Sequence, residues 1–460
     1  MATLFRSRRV VLPGGVREAG LLVGGDGRVA RVLEAHELLD PAHAAGPHLQ
    51  VEDLGELVLM PGVVDSHVHV NEPGRTAWEG FSTATRAAAA GGITTIVDMP
   101  LNSIPPTTTK ANLEIKLEAA KGKVHVDVAF WGGVVSGNQR HLKDMVEAGV
   151  VGFKCFLCPT GVQEFSSASV ADVEEALKEL QGTKSVLAFH AEVDLPDVEP
   201  PQKDKARKYQ TYLNTRPPLM EVTAIRKVAE LCQQYKVRCH IVHLSAAEAL
   251  PIVRNAKARG NQLTAETCHH YLSLASENIP DGATQFKCCP PIRNQKNQEH
   301  LWTALRSNVL DMVVSDHSPA TADTKRLEDG NFLEAWGGIA SVQFGLSLFW
   351  TAASERKFTL TDVAKFLCHK PAKLCSLERR KGHIAEGMDA DFVIWDPEAS
   401  FVVDPSAIHF KNKITPYLNK TLKGRVIRTI VRGKTVYEVG KDFPAPQGHL
   451  ILLSNDMQSN

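Results

Sequence analysis

The sequence predicts an α/β fold, a (β/α)8 barrel of the TIM type with a small β-sandwich domain formed by both termini. Three observations carry this expectation. Between residues 58 and 379, eight short β-branched or apolar runs alternate with helix-patterned segments. Polar residues able to do chemistry fall at the ends of several of those runs, where barrels place their active sites. Residues 1–57 and 380–460 lose the alternation and show short strands with glycine turns instead.

The first run, VLMPGVVDSHVHV from Val58, is broken by an Asn-Glu-Pro-Gly turn, and FSTATRAAAA then predicts a helix. ITTIVDMP from Ile93 precedes the helical NLEIKLEAAK, and VHVDVAFWGGV from Val124 precedes HLKDMVEAG. VVGFKCFL from Val150 is followed by SVADVEEALKEL. After SVLAFHAE from Ser185 comes DLPDVEPPQKDKARKYQ, Pro-rich and charged, which predicts a surface loop near the active face before the helix MEVTAIRKVAELCQQY. VRCHIVHLS from Val237, QLTAETCHHYL from Gln262 and MVVSDHSP from Met312 complete the eight, separated by AEALPIVRNAKARG and NQEHLWTALRSN. Neither flank, with segments such as EAGLLVGGDGRV and GRVIRTIVRGKTVYEVG, holds enough apolar residues to stand alone, so residues 1–57 and 380–460 are expected to share one sandwich around a barrel of 58–379.

Lys plus Arg and Asp plus Glu both total 52, so no global field gathers nucleic acid or an anionic membrane, and a small-molecule partner is expected. No run of ~18 apolar residues suggests a membrane span, and no secretory signal is visible. The opening MATLFRSRRVVL weakly resembles a mitochondrial presequence, a first β-strand being the preferred reading, and Gln458, Ser459 and Asn460 are no peroxisomal address. A cytoplasmic location is the expectation. The nine cysteines suit reduced, buried thiols, and the CxxC of Cys155 and Cys158 lies in a strand, where a redox pair is not expected.

His67 and His69 alternate on one strand face and can chelate one metal. Lys154 lies in the fourth run, His190 ends the fifth, His243 the sixth and Asp316 the eighth. Each has a bland alternative as a core accident, a snorkelling lysine or a helix cap. An ammonium among histidines has no lone pair to offer and resists burial, whereas a lysine condensed with carbon dioxide is an anionic carbamate able to bridge two cations.

This set, HVH on the first strand, a lysine on the fourth, single histidines on the fifth and sixth and an aspartate on the eighth, resembles the binuclear amidohydrolase superfamily. The resemblance implies that His67, His69, Lys154 as N6-carboxylysine and Asp316 hold one divalent ion, and that Lys154, His190 and His243 hold a second. Zinc is the first expectation, with cobalt, manganese, nickel or iron as alternatives. It further implies a shared water whose pKa falls from ~16 toward ~7, hydroxide attack on a cyclic amide, and Asp316 as ligand and proton shuttle. By family analogy the chain is a homo-oligomer, a tetramer.

Within that superfamily, dihydroorotases of this type carry Arg after HVHV to pair with a substrate carboxylate, and this chain has Asn71. HVHVNEPGR with WEGF, MPLNSIPPT, DHSP and WGGI resembles the allantoinase branch, which implies allantoin as substrate, its hydantoin ring opened to allantoate in purine catabolism. Asn71 and Asn102, and the backbones at Cys289 and Gly337, are then expected substrate contacts. Pro159 stands where hydantoinases carry a tyrosine, which leaves the oxyanion partner unnamed. His270 is expected behind the ligands, His269 as structural, and Trp78 and Phe81 as packing. A dihydropyrimidinase or hydantoinase, and a non-enzymatic dihydropyrimidinase-like scaffold, are the alternatives.

Overall fold

The computed structural model describes residues 2–39 and 49–453. Residues 40–48 and 454–460, both inside the expected terminal domain, lie outside the described residues, as does the C-terminal tripeptide. The N-terminal flank forms β1 (Thr3–Leu12), β2 (Gly15–Val23), β3 (Val29–Glu34), β4 (Gln50–Asp53) and β5 (Val58–Pro61). The strand read over 58–70 is two strands. β5 pairs with β1 in the flank, whereas β6 (Val63–Val68) pairs in parallel with β7 (Ile93–Asp98). Gly62 separates them because a Cβ there would lie 2.1 Å from Thr94 Oγ1. Only a residue without a side chain passes.

The central strands continue as β8 (Asp127–Phe130), β9 (Gly132–Gly133), β10 (Phe153–Phe156), β11 (Val186–His190), β12 (Arg238–Ile241), β13 (Leu263–Cys268) and β14 (Met312–Val314). β6, β7 and β8 form one parallel sheet, and β9 to β14 form a second in sequential order. At the outer ends, Val68 and His317 make a parallel bridge, and the His69 amide donates to the His317 carbonyl at 2.8 Å. These strands are buried along their length and rich in β-branched residues, as parallel strands covered on both faces require.

The helices sit where the apolar periodicity placed them. Phe81–Ala90 follows β6, and Val170–Leu180 starts at Ser169, whose hydroxyl accepts from the Asp172 amide while Asp172 accepts from the Ser169 amide. HHYL is not strand. His269–Ser273 is a short helix, because β13 ends at Cys268 and Leu274 N–H donates back to the His270 carbonyl. The segment read as a surface loop after β11 carries the short helix Tyr209–Asn214 and leads into Pro218–Tyr235.

β15 (Phe392–Val402), β16 (Thr421–Val431) and β17 (Lys434–Glu438) come from the C-terminal flank. They join the N-terminal strands in one eight-stranded sheet of order β17-β16-β15-β5-β1-β2-β3, with β4 beside β1. Both chain ends therefore enter one hydrogen-bonded layer, which packs Phe5, Val10, Leu21, Leu59, Phe392 and Ile430 together. A buried ionic cluster ties this region to the central strands. Lys381 Nζ donates to Asp127 of β8 at 2.6 Å and to Asp391 at 2.5 Å, with Asp389 at 2.9 Å.

Candidate active site

All six expected ligands gather at the C-terminal ends of the central strands, with His67, Lys154 and His190 on β6, β10 and β11 and His69, His243 and Asp316 just beyond their strands. His67 Nε2 and His69 Nε2 lie 3.1 and 3.3 Å from Asp316 Oδ1, and the ligand atoms of the three residues fall within 4.8 Å of one another. The His67 and His243 rings are 5.4 Å apart, and those of His243 and His190 are 4.6 Å apart. Phe156 stacks on His190 at 4.5 Å and lies 5.1 Å from the Lys154 ammonium. Two of the expected ligands sit on left-handed backbone, His243 at φ 38° and Asp316 at φ 44°. Such conformations cost about 1–2 kcal/mol and are held only where the surroundings enforce them.

Partners behind the ligands set their protonation. Glu266 on β13 accepts from His67 Nδ1–H at 2.6 Å, which leaves Nε2 its lone pair, and burial holds the His67 pKa far below its ordinary value. His67 Nε2 is itself buried with no hydrogen bond among the described residues. Glu266 also accepts from the His243 amide and from His240 Nε2. Glu192 does the corresponding work for His190, its Oε2 lying 2.7 Å from His190 Nε2, and Arg216 Nη1 donates to the same oxygen at 2.5 Å. Burial also lowers the His190 and His243 pKa values.

Neutral imidazoles with orphaned buried nitrogens, gathered round a carboxylate, are what a divalent cation requires of a protein. The buried Lys154 side chain makes no hydrogen bond or ion pair among the described residues, and burial pushes its pKa down to about 8. An amine so placed is partly unprotonated near neutrality and nucleophilic toward carbon dioxide. The His67, His69 and Asp316 donors therefore fit a divalent cation.

The site opens into a cavity of about 350 Å³ lined by His69, Asn102, Pro159, His190, Arg216, Cys289, Asp316, Trp336 and Gly337 among others. Three of the four expected substrate contacts line it. Gly337 packs against Cys289, since a Cβ there would lie 2.6 Å from Cys289 Sγ. Asn102 lies 3.3 Å from His69 Nδ1 through its amide nitrogen position. Asn71 is placed differently. It is buried, does not line this cavity, and its amide donates to the Pro319 carbonyl at 3.4 Å. Asn71 and Asn102 both have φ 66°, a conformation asparagine tolerates better than most residues.

Phe81 is buried against Phe130, and Trp78 packs on Trp336 at 4.8 Å. His270 is buried with both ring nitrogens unpartnered and within 4.8 Å of an Asp316 oxygen, its pKa pushed down to about 4 by burial. His269 packs near Gly345 and is pushed down to about 3. His317 of DHSP accepts at Nδ1 from the Ser341 amide and pairs with Glu79 of WEGF at 3.1 Å, bracing the rim. The nine cysteines are free, eight of them buried, and burial pushes the Cys158 thiol up to about 12. Glu266, Glu192 and Arg216 escaped the sequence reading. The signals were the acid two residues beyond His190 and a glutamate inside an otherwise uncharged strand.

A parallel α/β fold with buried imidazoles, a lysine and a carboxylate gathered at one end of its strands is the framework of a metal-assisted hydrolase. The chain belongs to the amidohydrolase family, whose model matches residues 58–436. Its curated relatives include the mitochondrial allantoinase of Aquarana catesbeiana, 55% identical over 82% of this chain and 76% of the relative. The allantoinase of Streptomyces avermitilis is 46% identical over 97% and 98%, and that of Arabidopsis thaliana 43% identical over 97% and 90%. Among solved structures, the L-hydantoinase (dihydropyrimidinase) of Arthrobacter aurescens superposes with TM-score 0.88 at 27% identity, covering 98% of this chain and 99% of that one.

Proposed function

We propose that this chain is a cyclic amidohydrolase that opens the hydantoin ring of allantoin to give allantoate. The observation that supports the reading is the buried group of His67, His69 and Asp316, with the His243 and His190 rings and Lys154 alongside, beside a small cavity in a chain 43–55% identical to allantoinases. His67, His69 and Asp316 would hold one divalent ion, zinc by donor type, and His190 and His243 a second, with Lys154 as a carbamate shared between them. When bound, such ions polarise the scissile carbonyl and acidify the attacking water.

The chain's own residues do the rest. Glu266 and Glu192 fix the His67 and His190 tautomers. Asp316 takes the proton of the attacking water at its carboxylate and gives it to the departing ring nitrogen. Asn102, Cys289 and Gly337 border the ring, with Asn71 shaping the turn beside them. In the architecture that goes with this reading, residues 58–379 close as an eight-stranded barrel, and 1–57 with 380–460 form the β-sandwich. The enzyme works as a homo-oligomer, a tetramer, in the cytoplasm. No helix among the described residues is long and apolar enough to cross a membrane.

Turnover of racemic allantoin, hydantoin and dihydrouracil by metal-reconstituted protein in bicarbonate tests the function. Allantoin is expected to react fastest. Faster turnover of dihydrouracil overturns the substrate assignment, and a chain that retains no divalent ion after dialysis overturns the enzyme reading in favour of a scaffold.

A further inference from the structure

Among the residues lining the 350 Å³ cavity, Arg216 is the one lysine or arginine, and nothing in the hydrolytic step uses it. It comes from the turn between the helices Tyr209–Asn214 and Pro218–Tyr235, just before Pro217 and Pro218. Its backbone is held by Arg293, which donates to the Arg216 carbonyl at 3.3 Å. The side chain is 24% exposed, and its Nη1 donates at 2.5 Å to the fully buried Glu192. Nε and Nη2 make no hydrogen bond among the described residues.

The guanidinium is thus clamped at one nitrogen and free at two others. A planar fork anchored in this way is preorganised, so little rotamer entropy remains to be lost when a ligand accepts from its free edge. Its charge is balanced by Glu192, so the pair offers donors without a strong preference for an anion. Beside it, Tyr212 donates its hydroxyl to the Cys288 carbonyl at 2.7 Å and lies 3.0 Å from Cys289 Sγ, which fixes the neighbouring wall.

We propose that Arg216 is a specificity residue whose free Nε and Nη2 donate to the carbonyl oxygen of the substrate's ureido arm. This rests on allantoin being the substrate. The arm is neutral, planar and rich in acceptor density, and it distinguishes allantoin from unsubstituted hydantoin. The alternative is that Arg216 acts only through Glu192 on His190, as a positioning residue.

The two roles separate in R216K and R216Q. R216K keeps a cation for Glu192 and loses the fork, and R216Q loses both. Steady-state kinetics on allantoin and hydantoin, with metal content measured on each purified protein, are to be run beside a calorimetric titration of allantoin into D316N and D316N/R216K. The expected result is normal metal content in R216K, a kcat/KM for allantoin reduced about 10- to 100-fold with hydantoin little changed, and a matching loss of allantoin affinity in the double variant, the range set by hydrogen bonds to a charged group. Equal losses on both substrates, or allantoin affinity unchanged between D316N and D316N/R216K, overturn the proposal. If hydantoin turnover is too slow to measure, the calorimetric comparison decides alone. Wild-type protein inactive on allantoin would instead defeat the substrate assignment on which the proposal stands.

Discussion

Replacing Lys154 by methionine should make the metal-free, uncarbamylated protein more stable while abolishing its activity. Among the described residues the buried Lys154 ammonium has no hydrogen bond or ion pair, only the Phe156 ring at 5.1 Å, and burial lowers its pKa from 10.5 to about 8. A difference of that size corresponds to about 3 kcal/mol. Below pH 8 the folded and unfolded chains are both protonated, so the folded state bears the whole penalty. Between pH 8 and 10.5 the folded chain has shed the proton that the unfolded chain retains, and stability climbs with pH. Methionine has similar length and no charge, and a volume-conserving exchange costs less than about 1.5 kcal/mol. K154M should therefore exceed wild type by about 2 kcal/mol at pH 7, with the gap closing by pH 10. Urea unfolding of chelator-treated, bicarbonate-free protein across this range measures it. In bicarbonate with zinc only wild type should gain stability through the carbamate. A difference that does not vary with pH, or a K154M less stable than wild type at pH 7, would refute the claim that an unpaired ammonium is what the site must eliminate.

Asp316→Asn should leave the circular dichroism spectrum unchanged and cut allantoin turnover by about 10²–10⁴-fold, the range of a lost proton transfer; near-wild-type turnover would remove Asp316 from its role. Glu266→Gln leaves His67 Nδ1 without its carboxylate, and metal affinity measured by competition with a chelator should weaken about 10- to 100-fold. Lys381→Met leaves buried Asp391 without a cation, although Asp127 keeps Arg432 and Asp389 keeps Arg380, and should cost about 3–5 kcal/mol in urea unfolding. A stable K381M would mean the aspartates are protonated or solvated in the native state.

The central strands and helices were legible because parallel strands buried on both faces leave continuous β-branched runs, and the helices between them keep a 3.6-residue stripe. The candidate site's residues stand out for a similar reason: a strand's two-residue period places His67 with His69, and chemistry-bearing residues fall at the ends of apolar runs. What stayed hidden depends on contacts distant in sequence. Val58–Pro61 reads as one strand with Val63–Val68, and only the fold shows it pairing with β1 and β15 across Gly62. Glu266 contacts His67 across 199 residues, and Arg216 reaches Glu192 from a loop whose composition indicates only a turn. The helix at His269–Ser273 was hidden by ETCHHYL, whose apolar pattern is too short to separate a strand end from one helical turn.

Asn71 shows how a residue can be informative in sequence for one reason and placed by the fold for another. Set where dihydroorotases keep an arginine, it argues that the substrate carries no carboxylate. In the fold it adopts φ 66° and spends its amide on the Pro319 carbonyl, joining the first active-site turn to the segment after Asp316. An arginine there would have to reach past Pro319 from left-handed backbone to meet the cavity. The cavity's guanidinium comes instead from Arg216 and is already paired with Glu192. A neutral substrate is thus favoured twice over, by the missing cation at position 71 and by the balanced one at 216. Asn71→Arg should consequently destabilise the turn without conferring affinity for a carboxylate-bearing ring, and tight binding of dihydroorotate by N71R would show that the turn, rather than Arg216, sets the charge preference of the site.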